Sequence, residues 1–514
     1  MKKSLLLISL YFSWILTSFA NSTHQPNVIL FLVDDMGWTD IGVYGSDFYE
    51  TPNIDALAEK GVRFTDAYAA SHVCSPTRAS LLTGKSPARL QLTEWLPGRP
   101  AMDNEAIITA PKVAALSLDE ITIAEAFKAN GYRTAIVGKW HLGNDEFGPA
   151  KQGFDFQAPK GSGCCPRGGY HPPYGMDGLT IEGKNDEYLT DRLTALAINF
   201  IDEPSEKPYF LFMSHFAVHD PIQGRADLVA KYRKKLSLAL PETAPAFILE
   251  GNPDDLTPMT RNQLDALIKE PTHAGHGYLG ERTVKIKQHQ DNIEFAAMVE
   301  SVDQSLGRIL KILEENQDTE KTIIVFYSDN GGMSNGKGKK GYDLPIDTMY
   351  ATSNVPLRGG KGWLYEGGIR VPLIIYWPKI GLQQGRVSNL PVSSADLYPT
   401  LLEMTGLSAL PNQHLDGTSV ANALKGETVE TRSLFWHFPH YSNHGQQSPG
   451  GAIRSGSYKL LEYFENGSTQ LFNLVDDPGE QIDLVEREPK KAKSLLAELH
   501  AWRKRVGAAM PIRR

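Results

Sequence analysis

The sequence predicts an α/β fold with a large, mainly parallel central sheet, joined to a smaller C-terminal α+β unit that carries an antiparallel sheet. Three observations carry this reading. Several short runs are apolar at successive positions, not at alternating ones, as strands covered on both faces require. Stretches with helical period lie between those runs, the order that builds a parallel sheet through crossovers. Near residues 425–435 the texture changes to closely spaced short strands that end in one amphipathic helix.

Taken in order, residues 1–20 have the form of a signal peptide. Lys2 and Lys3 give a positive start, an apolar run follows, and Ser18 and Ala20 supply small residues before a cut. The run is short for a membrane span and is interrupted by Ser13, Thr17 and Ser18, so no stable membrane insertion is expected after cleavage. The catalytic unit is expected over 21–428, with strands at 27–33, 134–137, 209–213, 322–327 and 371–377. Helices are expected at 51–60, 118–130, 189–201 and 295–316. Residues 221–290, rich in Pro, Gly and His, form either a helical excursion or a substrate-selecting rim. In the C-terminal unit, 429–514, strands are expected at 433–438, 451–454, 458–463 and 470–473. A helix then covers 489–506, with Pro489 in its first turn.

Composition narrows the function. Of 514 residues, 41% are hydrophobic and 22% charged, which excludes a disordered chain, a fibrous repeat and a multi-span membrane protein. Fifty-two Lys and Arg face sixty Asp and Glu, a net charge of -8, so no nucleic-acid surface is expected. Three cysteines close at most one disulfide.

Ligands of open α/β sheets bind beyond the carboxyl ends of the strands. Asp34 and Asp35 follow the first run, Lys139 and His141 the second. His215 and His219 follow the third, and Asp329 and Asn330 the fourth. Two carboxylates 4 Å apart repel by about 4 kcal/mol at an effective dielectric near 20, so three converging aspartates must take up protons or bind a cation. The donors are all oxygens, which favours calcium or magnesium over zinc. Pro76 fits the first turn of a helix and Gly84 its end, which places Cys74 at an anion-favouring N-terminus with Arg78 on the same face.

The segment Cys74-Ser75-Pro76-Thr77-Arg78 through Gly84 resembles the signature of type I sulfatases, formylglycine-dependent members of the alkaline phosphatase superfamily. The resemblance extends to Asp34-Asp35-Met36-Gly37, Gly138-Lys139-Trp140-His141-Leu142-Gly143 and Ser328-Asp329-Asn330-Gly331-Gly332. It continues in Leu357-Arg358-Gly359-Gly360-Lys361 and in Glu366-Gly367-Gly368-Ile369-Arg370-Val371-Pro372, and reaches Asp477-Pro478-Gly479-Glu480 near the end of the chain. It implies a sulfuric ester hydrolase in which a maturation enzyme converts Cys74 to formylglycine. The hydrated aldehyde is then the nucleophile. One Ca2+ ion would be held by Asp34, Asp35, Asp329, Asn330 and the modified Cys74. The same resemblance makes Arg78 the holder of the diol, Lys139 its orienting partner and His141 the base for sulfate release. His219 would contact sulfate near the leaving oxygen, with His215 as the competing choice, and Lys361 would grip a further sulfate oxygen.

Exported relatives imply a sulfated oligosaccharide or polysaccharide substrate and a periplasmic location, with secretion as the alternative. Residues proposed to select the sugar are Glu94, Trp95, Arg99, His171, Tyr174, His276, His437 and His440. The rival readings are a phosphatase or phosphonate monoester hydrolase of the same superfamily and a non-catalytic glycan-binding protein.

Overall fold

The computed structural model describes residues 25–514 apart from 104, 162, 180–186, 241–242, 252, 256, 270–282, 336–349, 379–384, 443 and 445–446. The leader at 1–20 and His276 lie outside the described residues. Among the described residues, no helix is long and apolar enough to cross a membrane.

Eight strands form the central sheet. Their spatial order is Arg386–Ser388, Val62–Phe64, Leu373–Tyr376, Thr322–Ser328, Asn27–Val33, Tyr209–Ser214, Arg133–Gly138 and Phe156–Ala158. The five from Thr322–Ser328 to Phe156–Ala158 are parallel, while Leu373–Tyr376 is antiparallel to both of its neighbours. Alternate residues of Asn27–Val33 explain its continuous apolar run. Ile29, Phe31 and Val33 pack with helices Leu189–Asp202 and Ile293–Glu315, whereas Val28, Leu30 and Leu32 pack with helices Cys74–Thr83 and Ile123–Ala129. Both faces are dry, so both sets must be apolar.

Register then aligns the functional ends. Val33 lies opposite Ser328, and Gly138 lies opposite Ser214. Asp34, Asp329 and Lys139 therefore leave the sheet along one edge.

Two predicted elements differ. The helix expected over 118–130 begins only at Ile123, because Thr122 makes a reciprocal capping box with Glu125. The strand expected over 371–377 is shorter and runs against its neighbours, since an apolar run carries no direction. The strands Val62–Phe64, Phe156–Ala158 and Arg386–Ser388 have three residues each, too few for a periodic signal. Within 221–290, helix Ala226–Leu238 precedes an antiparallel pair, Phe247–Glu250 with Val284–Lys287, and helix Arg261–Leu267 lies between its strands.

The C-terminal sheet is antiparallel in the order Leu434–Phe438, Gly450–Ser455, Tyr458–Tyr463, Thr469–Asn473. Helix Pro489–Val506 covers one face through Leu495, Leu499 and Trp502. The other face packs Trp436, Leu461 and Phe472 against Trp363, Tyr365 and Ile369. Between them the fully buried Lys459 donates to Glu366 and lies 2.9 Å from carboxylates of both Glu366 and Glu480. Removing this ammonium strands two carboxylates. We expect Lys459→Ala to lower the unfolding free energy by about 3–5 kcal/mol in urea denaturation. A loss below about 1 kcal/mol would mean the charges are solvated.

Candidate active site

Asp34 and Asp35 continue the first strand into a sharp turn, where Asp35 takes a left-handed backbone with φ 64°. Backbone bonds on both sides secure it: Asp34 N–H donates to Ala217 O (3.0 Å) and Val218 N–H donates to Asp34 O (2.7 Å). The Asp35 N–H donates to Asp329 Oδ1 at 3.2 Å, and Asn330 Nδ2 donates to Asp35 Oδ1 at 2.8 Å. Cys74 begins helix Cys74–Thr83, which Gly84 ends at φ 67°. One turn later Arg78 enters the same cluster. Its Nε donates to Asp329 Oδ2 (2.8 Å), and its Nη1 donates to Ser214 Oγ (2.7 Å) and Lys139 O (3.1 Å).

The two lysines close the cluster. Lys139 Nζ donates to Asp34 Oδ2 at 2.6 Å, and Lys361 Nζ donates to Asp35 Oδ2 at 2.7 Å. Asp34, Asp35, Cys74, Arg78, Lys139, His141, His219, Asp329, Asn330 and Lys361 are all buried. Ligand atoms of Asp34, Cys74 and Asp329 lie within 4.8 Å of one another, and so do those of Asp34, Asp35 and His219.

The charge state is uneven. Burial raises the Asp35 carboxyl, but Lys361, His219 and Lys139 outweigh it and hold the group below the ordinary carboxylate range. Burial and the neighbouring Asp34 push Asp329 up to about 6, against the pull of Arg78 and Lys139. Asp34 Oδ1 and Asn330 Oδ1 are buried without a hydrogen-bond partner. Two orphaned hard oxygens beside a carboxylate that resists ionisation are what a divalent oxygen-seeking cation would satisfy.

The two histidines are opposites. His141 Nε2 lies 2.6 Å from Leu96 O, a pure acceptor, so Nε2 carries the hydrogen and Nδ1 presents its lone pair to Cys74 Sγ at 3.3 Å. Burial and the Lys139 charge push its basicity well down, which keeps the ring neutral. His219 Nδ1 donates to Asp220 O at 2.9 Å, leaving Nε2 3.8 Å from Asp35 Oδ2. Burial and Lys361 lower its pKa, but Asp35, Asp220 and Asp34 prevail and raise it to about 10, so this ring is a cation. His215 lies elsewhere: it meets Ser305 Oγ at 3.0 Å and packs on Phe31. Burial and Lys139 and Lys361 act in opposite senses on Cys74, and burial prevails to raise its thiol.

Of the proposed sugar selectors, Glu94, Trp95 and His440 line one small pocket with Leu96, whose carbonyl meets His141. Glu94 binds Lys112 at 2.7 Å and accepts from Arg99 N, His440 meets Thr93 Oγ1, and His437 meets Ala509 O. Tyr174 donates its hydroxyl to Glu187 O, and His171 packs on Tyr188. Trp95 is half-buried. Ser214 is a site residue that the motifs missed, because a serine ending a strand has no distinctive spacing.

The sulfatase family profile matches residues 26–407, and the chain belongs to that family of sulfuric ester hydrolases. A second profile, the C-terminal region of N-sulphoglucosamine sulphohydrolase, matches residues 360–506. The chain is 29% identical to a sulfatase of Formosa agariphila over 94% of its length and 89% of the relative's. It is also 29% identical to N-acetylgalactosamine-6-sulfatase of Canis lupus familiaris, covering 96% and 83% of the two chains. The crystal structure of Ps i-CgsB in complex with k-i-k-neocarrahexaose superposes with a TM-score of 0.69 at 27% identity, over 93% of each chain.

Arg78 holds a buried carboxylate, whereas Ser214 Oγ accepts from Arg78 and donates to Lys139 O, with no charge of its own. We expect Arg78→Ala to cost about 3–5 kcal/mol and Ser214→Ala about 1 kcal/mol in chemical denaturation. Equal losses would refute this division.

Proposed function

We propose that the chain removes sulfate from a sulfated carbohydrate, using formylglycine made from Cys74 and one calcium ion held by Asp34, Asp35, Asp329 and Asn330. The observation that carries this reading is one buried cysteine at a helix N-terminus, set between His141 Nδ1 and an all-oxygen cluster with two orphaned oxygens. The carbohydrate class is supported by the relative named for N-acetylgalactosamine-6-sulfate and by the neighbour complexed with k-i-k-neocarrahexaose.

Formed by a maturation enzyme, the hydrated aldehyde supplies a nucleophile with a second hydroxyl through which sulfate can leave. Calcium supplies Lewis-acid charge for the sulfate oxygens. The chain's own residues do the rest. Each ammonium has three donors, so Lys139 and Lys361 can each keep an aspartate and still bind a sulfate oxygen. Arg78, anchored on Asp329, offsets the carboxylates beneath position 74. His141, neutral with its lone pair toward position 74, accepts a proton there. His219, cationic, delivers a proton to the leaving sugar oxygen, and Lys361 assists. The pair is thus divided into base and acid by environment.

A cleft of about 390 Å³ is lined by Gly138 and Trp140, which flank Lys139 in the chain, and by Phe216, Cys165 and Arg167. This cleft would hold the sugar that bears the leaving oxygen. The leader-like residues 1–20 support export, to the periplasm or beyond the cell.

Cys74→Ala is expected to abolish turnover while the melting temperature stays near that of wild type. Peptide mass spectrometry of active protein showing an unmodified thiol at position 74 would overturn the nucleophile. Paired aryl esters should release sulfate and not phosphate; preference for phosphate favours the phosphatase reading, and binding without turnover the glycan-binding one. Arg167→Ala should raise KM for a sulfated oligosaccharide about tenfold, the loss of one charge-assisted hydrogen bond. Hydrolysis of a small aryl sulfate should be unaffected, and a parallel loss on both substrates would place Arg167 outside the sugar cleft.

A further inference from the structure

Three loops bring the cluster together: the turn after Asp35, the turn after Asn330, and the loop that ends at Lys361. All three close around one side chain that no motif reading singled out. Asn354 is 1% exposed. Its Nδ2 donates to Gly332 O at 2.9 Å and to Gly359 O at 3.1 Å. Gly332 O also accepts from Lys361 N–H (3.0 Å), and Gly359 O accepts from Ser334 Oγ (2.9 Å). Two carbonyl acceptors fix the orientation of the carboxamide, since a flipped amide would set oxygen against oxygen. Its Oδ1 accordingly faces the third loop and accepts no N–H or O–H bond.

The glycines report how tightly the loops close. A Cβ on Gly37 would lie 2.5 Å from Asn354 Oδ1, one on Gly332 2.8 Å from the same oxygen, and one on Gly360 2.8 Å from Asn354 Nδ2. Each approach is closer than carbon and a polar atom can tolerate. Glycine at 37, 332 and 360 is therefore demanded in part by one shared neighbour. A carboxamide wedged among backbone Cα hydrogens gains weak C–H···O contacts as well as its two strong bonds. A buried asparagine that merely satisfied its own polarity would need only one of these loops.

We infer that Asn354 is a positioning residue that locks the loops of Asp35, Asn330 and Lys361 into one rigid frame for the anion and its cation. It touches none of the reacting groups and acts through the loops that carry them. Outer partners of this kind commonly change metal affinity 10–100-fold when lost. The inference rests on the calcium reading in one arm of its test only.

The first arm is a double-mutant cycle on the full chain, read by thermal melting without added metal. Gly37→Ala alone should lower the melting temperature, because its methyl group meets Asn354 Oδ1. The same substitution made in Asn354→Ala should lower it by less than half as much, since the obstructing oxygen is gone. Additive losses would overturn the shared-wedge geometry. If Asn354→Ala fails to fold, Asn354→Ser removes the same donors with a smaller cavity and enters the same cycle. The second arm titrates calcium and follows the rise in melting temperature. Asn354→Ala should need about 10–100-fold more calcium for half the rise. An unchanged midpoint, with only a lower baseline, would make Asn354 a structural residue and overturn the inference. If wild type itself shows no rise with calcium, the calcium reading fails, and the cycle decides the wedge alone.

Discussion

The mutual repulsion of Asp34, Asp35 and Asp329 is the constraint on which this molecule depends. Three carboxylates buried within a few ångströms are tolerable only where cations are fixed against them, because each pair at 4 Å opposes folding by about 4 kcal/mol even at an effective dielectric near 20. Arg78, Lys139, Lys361 and protonated His219 supply those cations from four different stretches of chain. A parallel sheet suits the task. Its strands all end on one edge, so residues nearly three hundred positions apart leave the sheet at the same level, as Val33 and Ser328 do. The balance is incomplete: Asp34 Oδ1 and Asn330 Oδ1 accept no hydrogen bond, although Arg78 Nη2 stands 3.7 Å from Asp34 Oδ1. A charge from outside the chain would satisfy both oxygens.

The same crowding separates the two imidazoles. His141 is flanked by Lys139 and held by a carbonyl, so a second positive charge there is opposed. His219 stands between Asp35 and Asp220, so a positive charge is drawn in. Identical side chains thus acquire opposite proton states within one buried cluster, with no need for different residue types.

Much of this was legible in the chain. The apolar runs located the core strands because burial on both faces leaves no freedom for polar residues, and the helix from Cys74 to Gly84 announced both ends through Pro76 and a left-handed glycine. The residues at strand ends followed from where α/β sheets place ligands. What escaped was whatever depends on distant partners. The direction of Leu373–Tyr376 is set by its neighbours and not by its apolar side chains. Glu94 and His440 read as sugar contacts in sequence, yet both are buried, with Glu94 beside Lys112 and His440 on Thr93. Ser214 and Asn354 are common residues at uncommon places, and their importance lies in the carbonyls they meet.

The C-terminal sheet enters the same argument. Lys361 must hold Asp35 at the bottom of the site, but its loop belongs to no strand of the central sheet. It is instead clasped from outside: Trp363 and Tyr365 pack into the core beneath the C-terminal sheet, and Gln447 accepts from Leu364 N–H. Arg358 pairs with Glu250 and donates to Glu480 O, while Lys459 draws Glu366 and Glu480 together. Trp436 Nε1 reaches Ala69 O, five residues before Cys74. The smaller sheet therefore braces the segment leading to Cys74 and the Lys361 loop at once, which a central sheet alone, with both its faces already covered, has no surface left to do.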